Sequence, residues 1–138
     1  MAAIVMAPLR VEGEIATVTT PNLFLIYVTD VERAAAFYSD LFDMQPQMIT
    51  PRYVPFEIAP GILFALWSGR AVQVTPDLPR TCEVGLMLPG AQSAVDDRYA
   101  EWSTKGVTVV EEPHDDVFGR TFVIADPYGN LIRVSPRD

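Results

Sequence analysis

The chain has 138 residues and a formal net charge of −8, with 49% apolar and 20% charged residues. That length holds one domain with a real core, or two small halves sharing one, and the composition excludes a disordered chain. The acidic balance argues against nucleic acid, whose phosphates ask for Lys and Arg. Runs such as LFLIYV and ILFALW are far short of the roughly 20 residues a membrane helix needs, so no membrane partner is expected. The single cysteine, Cys82, rules out an internal disulfide and fits a reducing, cytoplasmic setting.

Residues 1–20, MAAIVMAPLRVEGEIATVTT, lack a basic start followed by a long apolar stretch and read as a tail or an extra edge segment. The first half spans 21–70. NLFLIYV is a strand, and Thr29 or Asp30 can cap a helix after it, Thr29 with Glu32 as a capping box. Val31, Ala34, Ala35, Tyr38, Leu41 and Phe42 recur at helical spacing over about three turns. PQMITPRY, VPFEIAP and GILFALWSG, broken by Pro and Gly, predict three strands. Residues 71–81, with Pro76 and Pro79, read as a linker.

From 82 to 138 the order repeats. CEVGLML is a strand; Ala94, Val95, Tyr99 and Trp102 give a helical stripe stopped by Gly106; VTVVEEP, GRTFVIAD and NLIRVS predict three more strands, with His114 in a loop. Two βαβββ modules at an offset of about 60 residues are an internal repeat. Each alone would expose an apolar sheet face, so the fold class is α+β with two modules paired around a cleft.

This order, with LIYVTDVERAAAFY and FGRTFVIADPYGN, resembles the vicinal-oxygen-chelate superfamily of glyoxalase I, fosfomycin-resistance proteins, extradiol dioxygenases and bleomycin-resistance proteins. TPNLFLIYV, TPRYVPF, LFALWSG, EVGLMLP, EEPHDDVFGRTF and ADPYGNLIRV are most similar to its phenazine-antibiotic resistance branch. The resemblance implies a homodimer with clefts at the interface, and the modules can pair within one chain or across two. It also implies four metal-ligand positions in metal-dependent members. Carried over one at a time, they fall on Leu23, about Ala65, Glu83 and Arg133. Two apolar residues, a carboxylate and a permanent cation do not suit a divalent ion, so no metal or other cofactor is expected.

Strand alternation then draws the cleft. Leu23, Leu25 and Tyr27 share one side with Leu63, Ala65 and Trp67; Glu83, Gly85, Met87 and Arg133 line the other wall. Phe24, Ile26, Val28, Phe64, Leu66, Val84, Leu86, Ile132 and Val134 belong under the helices. The candidate ligand-binding residues are Trp67, Tyr27, Arg52, Tyr53, Phe56, Glu83, Gly85, Met87, Phe118 and Arg133, with Tyr53 and Phe56 closing one wall. Each has a plainer alternative. Trp67 can be core, Glu83 and Arg133 can be a structural ion pair, and Arg52 can be solvated or reach an anionic ligand. Trp102 and Tyr99 read as helix core, and Asp126 and Asn130 as hairpin-turn chemistry.

Two function classes remain. One is a metal-free protein that sequesters a small planar aromatic antibiotic of the phenazine type, with no catalytic residues. Two stacking walls at about 1–3 kcal/mol each and one charge contact would reach micromolar affinity, roughly −8 kcal/mol. The other is an enzyme, either metal-free with Glu83 as general base and Arg133 stabilising developing negative charge, or metal-dependent.

Overall fold

The computed structural model describes residues 19–71, 74–117 and 119–137; Phe118 and most of the 1–20 segment lie outside them. The element order is β1 (Leu23–Tyr27), α1 (Val31–Phe42), β2 (Tyr53–Ala59), β3 (Ile62–Trp67), β4 (Glu83–Leu88), α2 (Ser93–Ser103), β5 (Thr108–Asp116), β6 (Gly119–Ala125) and β7 (Leu131–Pro136). The strands form a three-stranded sheet, β1-β3-β2, and a four-stranded sheet, β4-β7-β6-β5. The α+β class holds, and the first half has one strand fewer than the repeat predicts. PQMITPRY is irregular up to β2. Its backbone links to β2 are Gln47 N–H to the Pro55 carbonyl at 2.8 Å and Thr50 N–H to the Tyr53 carbonyl at 3.1 Å. Pro46 and Pro51 have no N–H to offer a ladder, so the segment lies along the edge of the sheet without joining it. At the other end of the chain β5 runs to Asp116, so His114 stands in a strand, paired with Thr121, and not in a loop.

α1 starts where Asp30, in an extended conformation, turns its carboxylate back to accept from the N–H groups of Glu32 and Arg33 at 3.1 Å each. Asp30 is the cap; the Thr29–Glu32 box is not used. The helix ends at Asp43, which adopts the left-handed conformation at φ 52°. Between these ends, Val31, Ala34, Ala35, Tyr38 and Leu41 form the buried stripe, as the spacing requires.

α1 packs on the first sheet and α2 on the second, and the helices meet. The Tyr38 ring lies 5.1 Å from Phe64, Phe42 lies 6.0 Å from Trp102, and Trp102 lies 5.8 Å from Phe122. One apolar core thus crosses both halves, with Val54, Phe56, Leu66, Ile124, Ile132 and Val134 supplied by the sheets. Full burial of a large apolar side chain contributes about 1.5–3 kcal/mol, so this shared layer is the main source of cohesion between the halves. Cover is uneven along β1: Phe24 is 50% exposed, Ile26 is half-buried and Val28 is fully buried. Phe24 has the parity for the core, but it stands at the mouth of a groove between the halves.

The β6–β7 turn adds a polar latch. The buried Asp126 carboxylate accepts from the Tyr38 hydroxyl at 2.8 Å, from the Tyr128 and Asn130 N–H groups at 2.8 and 2.9 Å, and from Asn130 Nδ2 at 2.9 Å. Asn130 Nδ2 also donates to the Tyr27 carbonyl at 3.0 Å. Arg80 reaches the same turn, donating to the Tyr128 carbonyl at 2.6 Å. Gly129, at φ 90°, lies against the Pro76 backbone so closely that a Cβ would collide with it. The turn residues are local chemistry for the hairpin, as read from the sequence, and they also tie the linker side and the second half to α1 and β1.

Candidate functional site

Each sheet turns one face to its helix, and no described helix packs on the other. On the first sheet, strand pairing sets residues side by side in rows. Tyr53 pairs with Trp67, which pairs with Tyr27; in the next row Pro55 pairs with Ala65 and Ala65 with Leu25. Paired residues share a face, so three aromatic side chains stand abreast on the outer face. The Tyr27 and Trp67 rings meet edge to face at 5.8 Å. Tyr27 is 40% exposed, and Trp67 and Tyr53 are half-buried. The indole sits against the chain just beyond the strand: a Cβ on Gly69 would collide with its rings. Gly69 is a positioning residue that alternation alone does not reveal; its only signal is the Ser-Gly that follows LFALW.

Phe56 does not belong to this wall. It pairs with Phe64, is 1% exposed and packs with that ring at 6.2 Å in the core. Tyr53 and Phe56 are three apart on a strand, so they point to opposite faces. Ala65 is on the outer face but fully buried, since its larger row neighbours Leu25 and Pro55 close over a single methyl. Arg52, exposed, adjoins Tyr53, and its carbonyl accepts from Ser68 N–H at 3.0 Å. That bond fixes it at the Trp67 end of the sheet.

The outer face of the second sheet is polar. Gly85 pairs with Arg133, Arg133 with Val123 and Val123 with Glu111; Met87 pairs with Ser135, and His114 with Thr121. Arg133 forks onto Glu83, with Nε to Oε1 at 2.7 Å and Nη2 to Oε2 at 3.0 Å. Its Nη1 donates to the Thr121 hydroxyl oxygen at 3.2 Å and lies 3.9 Å from Glu111. Thr121, fully buried, spends its own proton on the Val134 carbonyl at 2.8 Å. The Arg133 side chain is 14% exposed. The hydrogen bonds to Glu83, more than any other contact, raise its pKa above the ordinary arginine value. His114 Nε2 lies 3.5 Å from Glu111 and 3.6 Å from Asp116. Asp116 is held below the usual aspartate range, first by the Val117 N–H and then by His114. Thr121, Glu111 and Asp116 escaped the sequence reading, and His114 was read as a loop residue; a register shift between Glu111 and His114 puts both on the Arg133 face although they are three apart, which alternation alone does not give.

Gly85 and Met87 stand where alternation put them. Met87 is 51% exposed, and a Cβ built on Gly85 meets nothing within 4 Å. The grooves on the described surface include ones of about 460, 630 and 370 Å³. Neither Trp67 nor Arg133 lines any of these three. The 630 Å³ groove runs between the β1 and β4 ends and is lined by Leu23, Phe24, Cys82, Glu83 and Gly85 among others.

The four positions that would carry a metal do not fit one. Leu23 and Ala65 offer no donor, Arg133 is a cation, and Glu83 is engaged by it. Among the described residues no group of three or more His, Cys, Asp or Glu is placed to hold a metal ion.

Residues 20–134 match the model of the glyoxalase/bleomycin resistance protein/dioxygenase superfamily. The chain belongs to that superfamily. It is 47% identical over 122 residues to the phenazine antibiotic resistance protein EhpR of Enterobacter agglomerans, covering 86% of this chain and 93% of that one. Among solved structures, a protein from Agrobacterium tumefaciens is 28% identical with a TM-score of 0.69, covering 88% of this chain and 99% of the other. A glyoxalase-related enzyme from Fulvimarina pelagi superposes at a TM-score of 0.71 with 17% identity, over 87% and 89% of the two chains; that likeness concerns the fold alone. As the sequence resemblance implied, the superfamily and the α+β fold hold, and a named relative is an antibiotic resistance protein.

Proposed function

We propose that this chain is a metal-free binding protein that protects its host by sequestering a planar aromatic antibiotic of the phenazine type. The observation that carries the reading is the aromatic row Tyr53, Trp67 and Tyr27 on a sheet face that neither described helix covers. A flat heterocycle laid on such a row gains about 1–3 kcal/mol per stacked side chain. The 47% identity to a phenazine resistance protein supports the ligand class. The second wall supports binding over turnover. Glu83 has both oxygens engaged by Arg133, at 2.7 and 3.0 Å, which suits a fixed surface better than a base that must take up protons.

Trp67 and Arg133 share none of the grooves described above, and Leu23, Tyr27 and Met87 leave apolar surface exposed on the outer faces. The reading therefore includes a homodimer in which the aromatic face of one copy meets the Arg133 face of the other. Residues 21–70 and 82–138 would act as exchangeable modules joined by 71–81. Isothermal titration with phenazine-1-carboxylic acid tests binding, sedimentation equilibrium tests the dimer, and elemental analysis after metal reconstitution tests the metal-free state. Micromolar binding by a metal-free dimer is the expected result. Turnover of the ligand, or one tightly held metal per chain, would overturn it.

A further inference from the structure

We propose that Arg52 and Arg70 form the anion-recognition point of the drug site, so that the ligand class is a planar aromatic acid whose carboxylate overhangs the Trp67 end of the first sheet. The proposal rests on the drug-binding reading and deepens it by naming the groups that orient the ring. Both arginines stand at one end of the aromatic row. Arg52 immediately precedes Tyr53, and Arg70 immediately follows Gly69, whose missing Cβ makes room for the Trp67 indole. The backbone holds the two segments together, since Ser68 N–H donates to the Arg52 carbonyl at 3.0 Å. Thr50 pins the first segment: its hydroxyl donates to the Tyr53 carbonyl at 2.6 Å and accepts from the Tyr53 N–H at 3.1 Å. Ala71 N–H closes the second segment onto the Ser68 carbonyl at 3.1 Å. The two guanidinium groups therefore spring from fixed backbone beside the surface on which a flat ring would lie.

Their charges are uncommitted. Both residues are exposed, and neither side chain has a hydrogen bond, ion pair or ring contact among the described residues. Carboxylates outnumber cations eighteen to ten in the chain, and most of the other described cations are engaged. Lys105, Arg98, Arg120 and Arg133 each pair with a carboxylate, Arg80 is tied to carbonyls, and Arg33 lies over the Tyr128 ring at 6.0 Å. Arg137 is also unpaired among the described residues, but it follows β7 in the second sheet. An uncommitted guanidinium offers a planar fork of donors that matches a carboxylate in two parallel hydrogen bonds. Arg133 is poorly placed for that task. Its Nε and Nη2 hold Glu83 at 2.7 and 3.0 Å, and Glu111 lies 3.9 Å from its Nη1. A ligand carboxylate there would compete with Glu83, an intramolecular partner, and face Glu111 as well. In a dimer that sets the Arg133 face of one copy against the aromatic row of the other, those carboxylates drive an anionic ring substituent toward the Arg52 and Arg70 end.

Titration calorimetry of the full chain with phenazine-1-carboxylate, its neutral carboxamide and unsubstituted phenazine, at matched pH and at low and high salt, tests this. The parent should bind the carboxylate about tenfold more tightly than the carboxamide, with a margin that shrinks in high salt. Arg52→Gln and Arg70→Gln should each weaken the carboxylate and together erase the margin, while the carboxamide and phenazine keep their affinity. Lys105→Gln, which removes a positive charge just beyond α2, should change none of the three. Equal affinity of the parent for carboxylate and carboxamide, or a margin that survives in the double variant, overturns the proposal and leaves the drug-binding reading standing. A fall for all three probes together in the double variant does the same, since the loss is then not one of charge recognition. If Arg133→Gln erases the margin and the double variant does not, the acid sits on the second sheet and the proposal is wrong. If the parent binds none of the three, the drug-binding reading falls and takes this one with it.

Discussion

The two halves each run strand, helix, strands, with two strands after the helix in the first and three in the second, and they differ on their outer faces. On the inner faces they are alike: Phe56, Phe64 and Leu66 in the first sheet, Phe122, Ile124 and Val134 in the second, each set against its own helix. On the outer faces the first sheet carries Tyr53, Trp67 and Tyr27, and the second carries Glu83, Arg133 and Glu111. The inner faces must be apolar because the core depends on them. The outer faces differ in chemistry, an aromatic row in one half and an ion network in the other. The two tryptophans express the contrast: Trp102 is 1% exposed between Phe42 and Phe122, while Trp67 lies half-buried on Gly69 at the outer face.

That contrast can be broken most strongly at Trp102. Trp102→Ala should cost about 3–5 kcal/mol in urea unfolding, with Trp102→Phe far milder. At the outer face the balance reverses. Trp67→Ala should leave the denaturation midpoint nearly unchanged and lower affinity for a phenazine by about 1–3 kcal/mol, read by calorimetry. If Trp67→Ala unfolds the chain and binds as before, the two faces have been assigned the wrong way round.

The second outer face should be structurally costlier than the first. Glu83→Ala leaves the Arg133 guanidinium, 14% exposed, without its fork. The expected loss is about 1–3 kcal/mol, at the lower end because Glu83 itself is 33% exposed. Adding Arg133→Met should restore part of it, since the unpaired charge is then gone.

The latch between the halves titrates. Burial, then the Asp126 carboxylate, raises the Tyr38 phenol well above 10.0. The folded chain keeps that proton where the unfolded chain releases it. Its contribution to stability is therefore whole below pH 10 and drains as pH rises above it. Tyr38→Phe should cost about 0.5–1.5 kcal/mol at neutral pH and flatten the decline measured between pH 10 and pH 11. The smallest effect should come from the surface pair between Lys105 and Asp40, at 3.0 Å, whose carboxylate side chain is 67% exposed. Lys105→Ala should change stability by about 0–1 kcal/mol, and less in high salt.

Local pattern is enough wherever neighbours in sequence decide the outcome. The α1 stripe, the outward parity of Trp67, Gly85 and Arg133, and the turn role of Asp126 follow from periods of 3.6 and 2 and from turn chemistry. Pattern misleads where it parts from pairing. PQMITPRY has apolar residues at strand length, but its prolines keep it off the ladder. Phe56 groups with Tyr53 by closeness in sequence, although an odd separation on a strand puts them on opposite faces. His114 sits among polar residues that look like a loop and is held in β5 by β6.

By itself the sequence determined the repeat, the apolar inner faces, the absence of donors at Leu23 and Ala65, and the superfamily. All of these depend on residue type and spacing, which need no third dimension. Only the tertiary structure decided how the outer faces are paired. Arg133 is held by Glu83, fifty residues away, and by Thr121 from a neighbouring strand. Where the Trp67 indole sits depends on Gly69, whose missing Cβ leaves the space that the ring fills. Distance along the chain carries no information about such contacts; they are set by which strands pair and in what register.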